Sequence, residues 1–182
     1  MIYNVTPEVL VDDLHNMAAN FDAPLYIMFA GAPCSGKSTI ISNLYFNAHV
    51  YSTDAIIEEM AVMSGRSYSE VFKQEKFKTF KQQADMRLEH AMDLGMDVIH
   101  DQTNMSVASR AKNLANMERN KKFNDYHKIL VFMDTPENVI MDRLKERNKG
   151  PKYIPEPIVM NFLNNKELPT YQERFEHIFI VR

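Results

Sequence analysis

The stretch Gly31-Ala32-Pro33-Cys34-Ser35-Gly36-Lys37-Ser38-Thr39 follows the apolar run LYIMFA, Leu25 to Ala30, and precedes a helical pattern that starts near Lys37. It satisfies G-x-x-x-x-G-K-[ST] in the strand-to-helix setting that this motif requires. Gly31 and Gly36 let the backbone wrap phosphate groups with its N–H donors, the helix start directs its positive end at them, and the Lys37 ammonium adds a point charge. The Ser38 hydroxyl is placed to coordinate Mg²⁺. These nine residues are expected to hold the phosphates of ATP. Cys34 sits inside the loop, where a tolerated side chain and a redox-active thiol are the two readings.

Outward from this loop, strands and helices alternate. Upstream, Thr6 and Pro7 open a helix over residues 6–20, with Val9, Leu10, Leu14 and Met17 at helical spacing. Downstream, residues 37–47 read as helix, 49–53 as a strand ending at Asp54, 55–63 as a short helix and 68–94 as a long one stopped at Gly95. A strand over 96–100 ends at Asp101, a helix spans 106–122, HKILVFM over 127–133 is the next strand, and Thr135-Pro136 opens another helix. Pro151, Pro155 and Pro157 break 149–157 into a loop, followed by a helix over 158–165 and a last strand over 177–181. This order predicts an α/β phosphate-loop fold with a mainly parallel sheet of about five strands, helices on both faces and a helical lid. Ligands of such sheets bind beyond the carboxyl ends of the strands.

The chain has 182 residues, which predicts one domain over 1–182, with 1–24 a helical extension and about 143–166 the lid. Hydrophobic residues at 45% and charged residues at 25% exclude a disordered or fibrous chain. The net charge of −3 provides no overall basic field, so nucleic acid would have to be met by a local patch. One cysteine excludes an internal disulfide and a multi-thiolate metal site, and fits a reducing cytoplasm. No basic-then-apolar leader and no run of about 18 apolar residues occurs, so no membrane partner is expected.

Three further groups carry chemistry. Asp54, at a strand tip facing the γ-phosphate region, is the candidate general base for transfer to an alcohol; the competing reading is a helix cap. In His100-Asp101-Gln102-Thr103-Asn104, Asp101 is a candidate for the magnesium shell or the acceptor hydroxyl, with Thr103 and Asn104 as donors. A turn formed by the Asp and Asn is the alternative. Arg143 and Arg147, four apart on a helix, are positioned to reach phosphates together, against the alternative of a solvated face interleaved with Asp142 and Glu146.

Taken together, GAPCSGKST, STD ending at Asp54, HDQTN, Arg110 six residues after Asn104, and RLKERNKGPKYIPEPIV resemble the kinase domain of phage-type polynucleotide 5′-hydroxyl kinases and the small AAA_33-like P-loop kinases around it. The resemblance covers roughly residues 25–182. It implies that Lys37 and Ser38 bind ATP phosphates and Mg²⁺, that Asp54 is the base, that Arg147 clamps the phosphates, and that Asp101, Thr103, Asn104 and Arg110 line the acceptor site. It also implies that the acceptor is a 5′-hydroxyl end of RNA or DNA. Three positions depart from the family pattern: Ile57 stands where an arginine would grip an acceptor 3′-phosphate, Lys149 or Lys152 stands in for a second lid arginine, and Cys34 replaces a glycine. The alternatives are a kinase of a nucleoside, sugar or antibiotic hydroxyl, and a nucleotide-dependent switch ATPase with no acceptor.

Overall fold

A computed structural model describes residues 1–150 and 152–182, so the expectation for Pro151 lies outside the described residues. The elements are β1 (Ile2–Val5), α1 (Pro7–Asn20), β2 (Leu25–Ala30), α2 (Lys37–Ser42), β3 (Ala48–Tyr51), α3 (Thr53–Ser64), α4 (Tyr68–Gln74), α5 (Phe77–Asp93), β4 (Asp97–Asp101), α6 (Val107–Met117), β5 (His127–Met133), α7 (Glu137–Arg147), α8 (Glu156–Asn164) and β6 (His177–Val181). The strands form one sheet in the order β1-β6-β5-β2-β4-β3, parallel at every pairing. After β2 the chain moves toward β3 at one edge, and after β5 it moves toward β6 on the other side. The carboxyl ends of the central strands therefore face a crevice where connections diverge.

Alternation along the strands divides the core. Tyr26, Met28, Ala30, Leu130 and Phe132 face α3, α5 and α6 through Ile57, Phe80, Ala84, Leu88 and Leu114. Leu25, Ile27, Phe29, Ile129 and Val131 face α1 and α2 through Leu10, Leu14 and Ile40. Because both faces are covered, β2 is buried along its whole length, which is why it reads as an unbroken apolar run. A third cluster at the crevice joins Ala32 of the phosphate loop to Met105, to Ile140 and Leu144 of α7, and to Val159 of α8.

The structure adds a sixth strand, β1, inside the expected helical extension; it pairs with β6 through Ile2–Ile178 to Val5–Val181. α2 ends at Ser42 rather than near residue 47. The long helix expected over 68–94 is two: Glu75 and Lys76 are extended, and α4 starts with a Ser67–Glu70 capping box. α6 stops at Met117, and a 3₁₀ turn at Lys121–Asp125 leads into β5.

Candidate active site

A cleft of about 1190 Å³ opens at the carboxyl ends of the strands, lined by the phosphate loop, the start of α3, the end of β4, α7 and the loop before α8. Its walls include Pro33 to Thr39, Asp54, Asp101, Thr103, Arg143 and Arg147, residues drawn from separate parts of the sequence. The volume exceeds that of a typical single-ligand pocket, roughly 300–1,000 Å³.

The loop between β2 and α2 is fixed from three sides. Gly31 N–H donates to Thr103 O at 2.7 Å, Thr135 Oγ1 donates to Ser35 O at 2.8 Å, and Arg143 Nη1 donates to Cys34 O at 3.3 Å. A Cβ at Gly31 would stand 2.6 Å from Ser35 Oγ and 2.9 Å from Met133 Cβ, so only glycine fits where β5 backs the loop. Lys37 Nζ donates to Gly31 O at 2.7 Å and to Ala32 O at 3.3 Å, which holds the ammonium at the mouth of the loop. Burial lowers its pKa below the usual lysine value, opposed by the carboxylates of Asp101 and Asp54.

Cys34 has φ +67°, in the left-handed region that favours glycine. A non-glycine residue there costs roughly 1–2 kcal/mol, against roughly 0.4–1 kcal/mol for the extra freedom glycine brings to the unfolded chain. Cys34→Gly is accordingly expected to raise stability by up to about 1 kcal/mol, and the β-branched Cys34→Val to lower it by at least as much. Urea unfolding midpoints check both, and a destabilised glycine variant would show that the thiol makes contacts worth more than the backbone cost.

Asp54 lies in the first turn of α3, and its carboxylate is exposed to the cleft. The cap of that helix is Ser52, whose Oγ accepts from Ala55 N–H at 3.3 Å, so Asp54 is not the capping residue. Instead Oδ1 accepts from the Tyr68 hydroxyl at 2.9 Å, and Oδ2 lies 3.3 Å from Lys152 Nζ. Lys152 also meets Glu58 Oε1 at 2.6 Å and lies 4.4 Å from the centre of the Tyr68 ring. Asp101, at the end of β4, is half-buried; burial raises its pKa above the usual aspartate value, opposed by Lys37.

The segment after Asp101 separates into two roles. Thr103 lines the cleft, whereas Asn104 is buried at φ +44°, donates from Nδ2 to Phe29 O at 2.9 Å and accepts from Asn113 Nδ2 at 2.7 Å. Its side chain ties the turn to β2, so the turn-forming alternative holds for Asn104. Arg110, expected in the acceptor site, is fully buried beneath that turn. Its Nε and Nη2 donate to the Glu173 carboxylate at 2.6 and 2.9 Å, and its other donors go to the carbonyls of Asn104, Met105 and Glu167. With its donors spent on neighbours and no surface exposed, the guanidinium is structural and does not reach an acceptor.

In the lid, Arg147 and Arg143 both line the cleft. Between the two lysines expected near them, Lys149 pairs outward with Glu146 at 2.7 Å, whereas Lys152 lines the cleft. Asn148 binds the backbone of Ile154 twice, donating from Nδ2 to its carbonyl and accepting from its N–H at Oδ1, each at 2.8 Å. The residues that sequence reasoning did not single out are Tyr68, Glu58 and Phe77. Tyr68 directly follows the Ser67 cap, the one local signal that could have marked its position.

Among the described residues no cluster of three or more His, Cys, Asp or Glu side chains could hold a metal, and no helix is long and apolar enough to cross a membrane. The sequence model of the AAA_33 family, an AAA domain, matches residues 26–169. No curated protein matches the chain. Among solved structures, a candidate kinase of Chloroflexus aurantiacus J-10-fl superposes with a TM-score of 0.59 at 18% identity, over 87% of this chain and 85% of that one. The PezAT chromosomal toxin–antitoxin system of Streptococcus pneumoniae gives 0.53 at 16% identity, over 95% of this chain and 74% of that one. The AvrRxo1-ORF1:-ORF2 complex solved with ATP gives 0.53 at 14% identity; the match covers 86% of this chain and 53% of that one.

Proposed function

The chain belongs to the AAA_33 family of AAA domains, and on that premise we propose that it is a kinase that transfers the γ-phosphate of ATP to a hydroxyl, the acceptor being the 5′-hydroxyl end of RNA or DNA. The observation that carries this reading is the exposed Asp54 carboxylate in the same cleft as the Lys37 loop. One group holds phosphate charge and the other accepts the proton of an attacking alcohol. The acceptor oxygen bonds to the γ-phosphorus as its proton passes to Asp54, and the bridging oxygen leaves with ADP. Arg147, Arg143 and Lys37 stabilise the charge on the transferring group.

Ser38 and Asp101 are hard oxygen donors at the edge of the phosphate loop and fit Mg²⁺, which commonly takes one or two protein ligands beside substrate phosphates. When bound, Mg²⁺ supplies neutralisation of the β- and γ-phosphate charge. The structural relative solved with ATP supports that choice of donor.

A second reading is favoured by the acceptor end of the cleft. Asp54, Glu58 and Asp101 all line that end, with Lys152 bridging the first two, and Ile57, at the position where the resemblance would put an arginine, is fully buried and offers no charge to an acceptor phosphate. That charge balance suits a small uncharged or cationic alcohol. Transfer of labelled γ-phosphate to 5′-hydroxyl RNA and DNA oligomers, 3′-nucleotides and nucleosides decides between them. Labelled oligomers whose acceptor KM rises steeply with salt support the nucleic-acid end. Label on nucleosides alone supports the small molecule, and ATP binding with no transfer to any alcohol defeats both.

A further inference from the structure

The Asp54 carboxylate is held from two sides by residues to which the proposed activity assigns no part. Tyr68, the first residue of α4, donates its hydroxyl to Oδ1 at 2.9 Å, while Lys152, from the loop before α8, reaches Oδ2 at 3.3 Å. The two contacts differ in kind. Lys152 is shared with Glu58 at 2.6 Å, and its partners are more than half exposed, so the pairing is one that water and other ligands compete for. The Tyr68 hydroxyl is a neutral donor on a ring stacked nearly parallel to that of Phe72, with centroids 6.2 Å apart and planes at 8°. Burial and the neighbouring Asp54 carboxylate push the Tyr68 phenol above its usual pKa, so the hydroxyl stays protonated and donates. The groups facing Asp54 are thus Glu58 on its own helix, Tyr68 on α4 and Lys152 on the loop. Lys37, Asp101 and Arg147 line the same cleft and act on Asp54 or Tyr68 through their charge.

We propose that Tyr68 is a positioning residue for phosphoryl transfer: its hydroxyl fixes Oδ1 of Asp54, so that Oδ2 is the oxygen presented to the acceptor, at the place now marked by Lys152 Nζ. The proposal rests on the kinase reading for its chemistry. In the step it serves, the acceptor hydroxyl replaces the lysine ammonium against Oδ2, its proton passes to Oδ2 as its oxygen bonds to phosphorus, and ADP departs with the bridging oxygen. A carboxylate with one oxygen already bonded has one orientation in which to accept that proton. Without the bond, rotation about χ1 and χ2 disperses it.

Two measurements test the assignment. In kinetics, Tyr68→Phe keeps the ring and loses the donor; kcat is expected to fall about tenfold, the low end of what one hydrogen bond to a charged group is worth, with KM for ATP unchanged. On an Asp54→Asn background the same change is expected to cost nothing further, because Tyr68 acts only through that carboxylate. An equal tenfold loss on both backgrounds overturns the proposal, since a merely structural role is indifferent to the base. The second measurement needs no acceptor: three-bond couplings to the Asp54 Cγ, read by NMR in Lys152→Ala, where only Tyr68 tethers the carboxylate. A single χ1 rotamer that becomes averaged in Lys152→Ala/Tyr68→Phe supports the assignment, and the same rotamer in both variants overturns it. Should the wild-type chain bind ATP and phosphorylate no alcohol, the kinase reading falls, while the couplings still judge Tyr68.

Discussion

Asp54→Asn is expected to reduce phosphoryl transfer by about 10²- to 10⁴-fold, the usual contribution of a positioned general base, while leaving ATP affinity nearly intact. The asymmetry follows from placement. Asp54 is held by Tyr68 and Lys152 on the α3 side of the cleft, and none of the bonds that shape the phosphate loop involves it. Asparagine keeps the size of the side chain and loses the capacity to take a proton. Single-turnover transfer and titration with a fluorescent ATP analogue measure the two quantities separately. Turnover within a few-fold of wild type would remove Asp54 from the chemistry. A parallel loss of ATP affinity would instead make it part of the nucleotide site.

The second large effect concerns stability. Arg110→Ala leaves the Glu173 carboxylate, which also accepts from Thr170 N–H at 3.0 Å, buried without its charged partner. Removing one member of a buried pair costs about 3–5 kcal/mol. At this chain length that corresponds to a fall in melting temperature on the order of 10 °C. Arg110→Lys is expected to rescue little, because an ammonium cannot reproduce the fork that bonds one carboxylate and three carbonyls at once. Replacing both partners by apolar residues of similar volume should recover much of the loss, since the pair carries its own desolvation cost. Differential scanning calorimetry of the three variants checks this order. An Arg110→Ala protein that melts like wild type yet loses affinity for its acceptor would return Arg110 to the binding site.

The comparison between sequence and structure follows the range of the forces involved. β2, β5 and the phosphate loop were legible because burial on both faces writes a continuous apolar run, and phosphate wrapping writes glycines at fixed spacing. β1 was not legible: its four residues, IYNV, become a strand by pairing with β6, which lies more than 170 residues away in the chain. The break between α4 and α5 carries neither Gly nor Pro, and Lys76 at the start of α5 makes no side-chain cap, so nothing local announces it. In the site, Lys37, Asp54, Asp101, Thr103, Arg143 and Arg147 line one cleft, which they reach from strand ends and from one face of α7. Arg110 misled because spacing from Asn104 records that the two are close, not which way a guanidinium turns. Tyr68 escaped because its partner is fourteen residues away on a different helix.

The small cluster that joins Ala32 to Ile140, Leu144 and Val159 has an energetic meaning of its own. The phosphate loop and the helices α7 and α8 share one set of apolar contacts, so neither can loosen without exposing surface that belongs to the other. A ligand that binds only when the loop is formed stabilises that arrangement by up to about 2.7 kcal/mol at one hundred times its Kd, and α8 shares in this to the extent that the cluster couples the two. Through thermodynamic reciprocity, whatever steadies α8 repays the loop in nucleotide affinity. Occupancy at one end of the cleft and order at the other thus draw on the same apolar contacts.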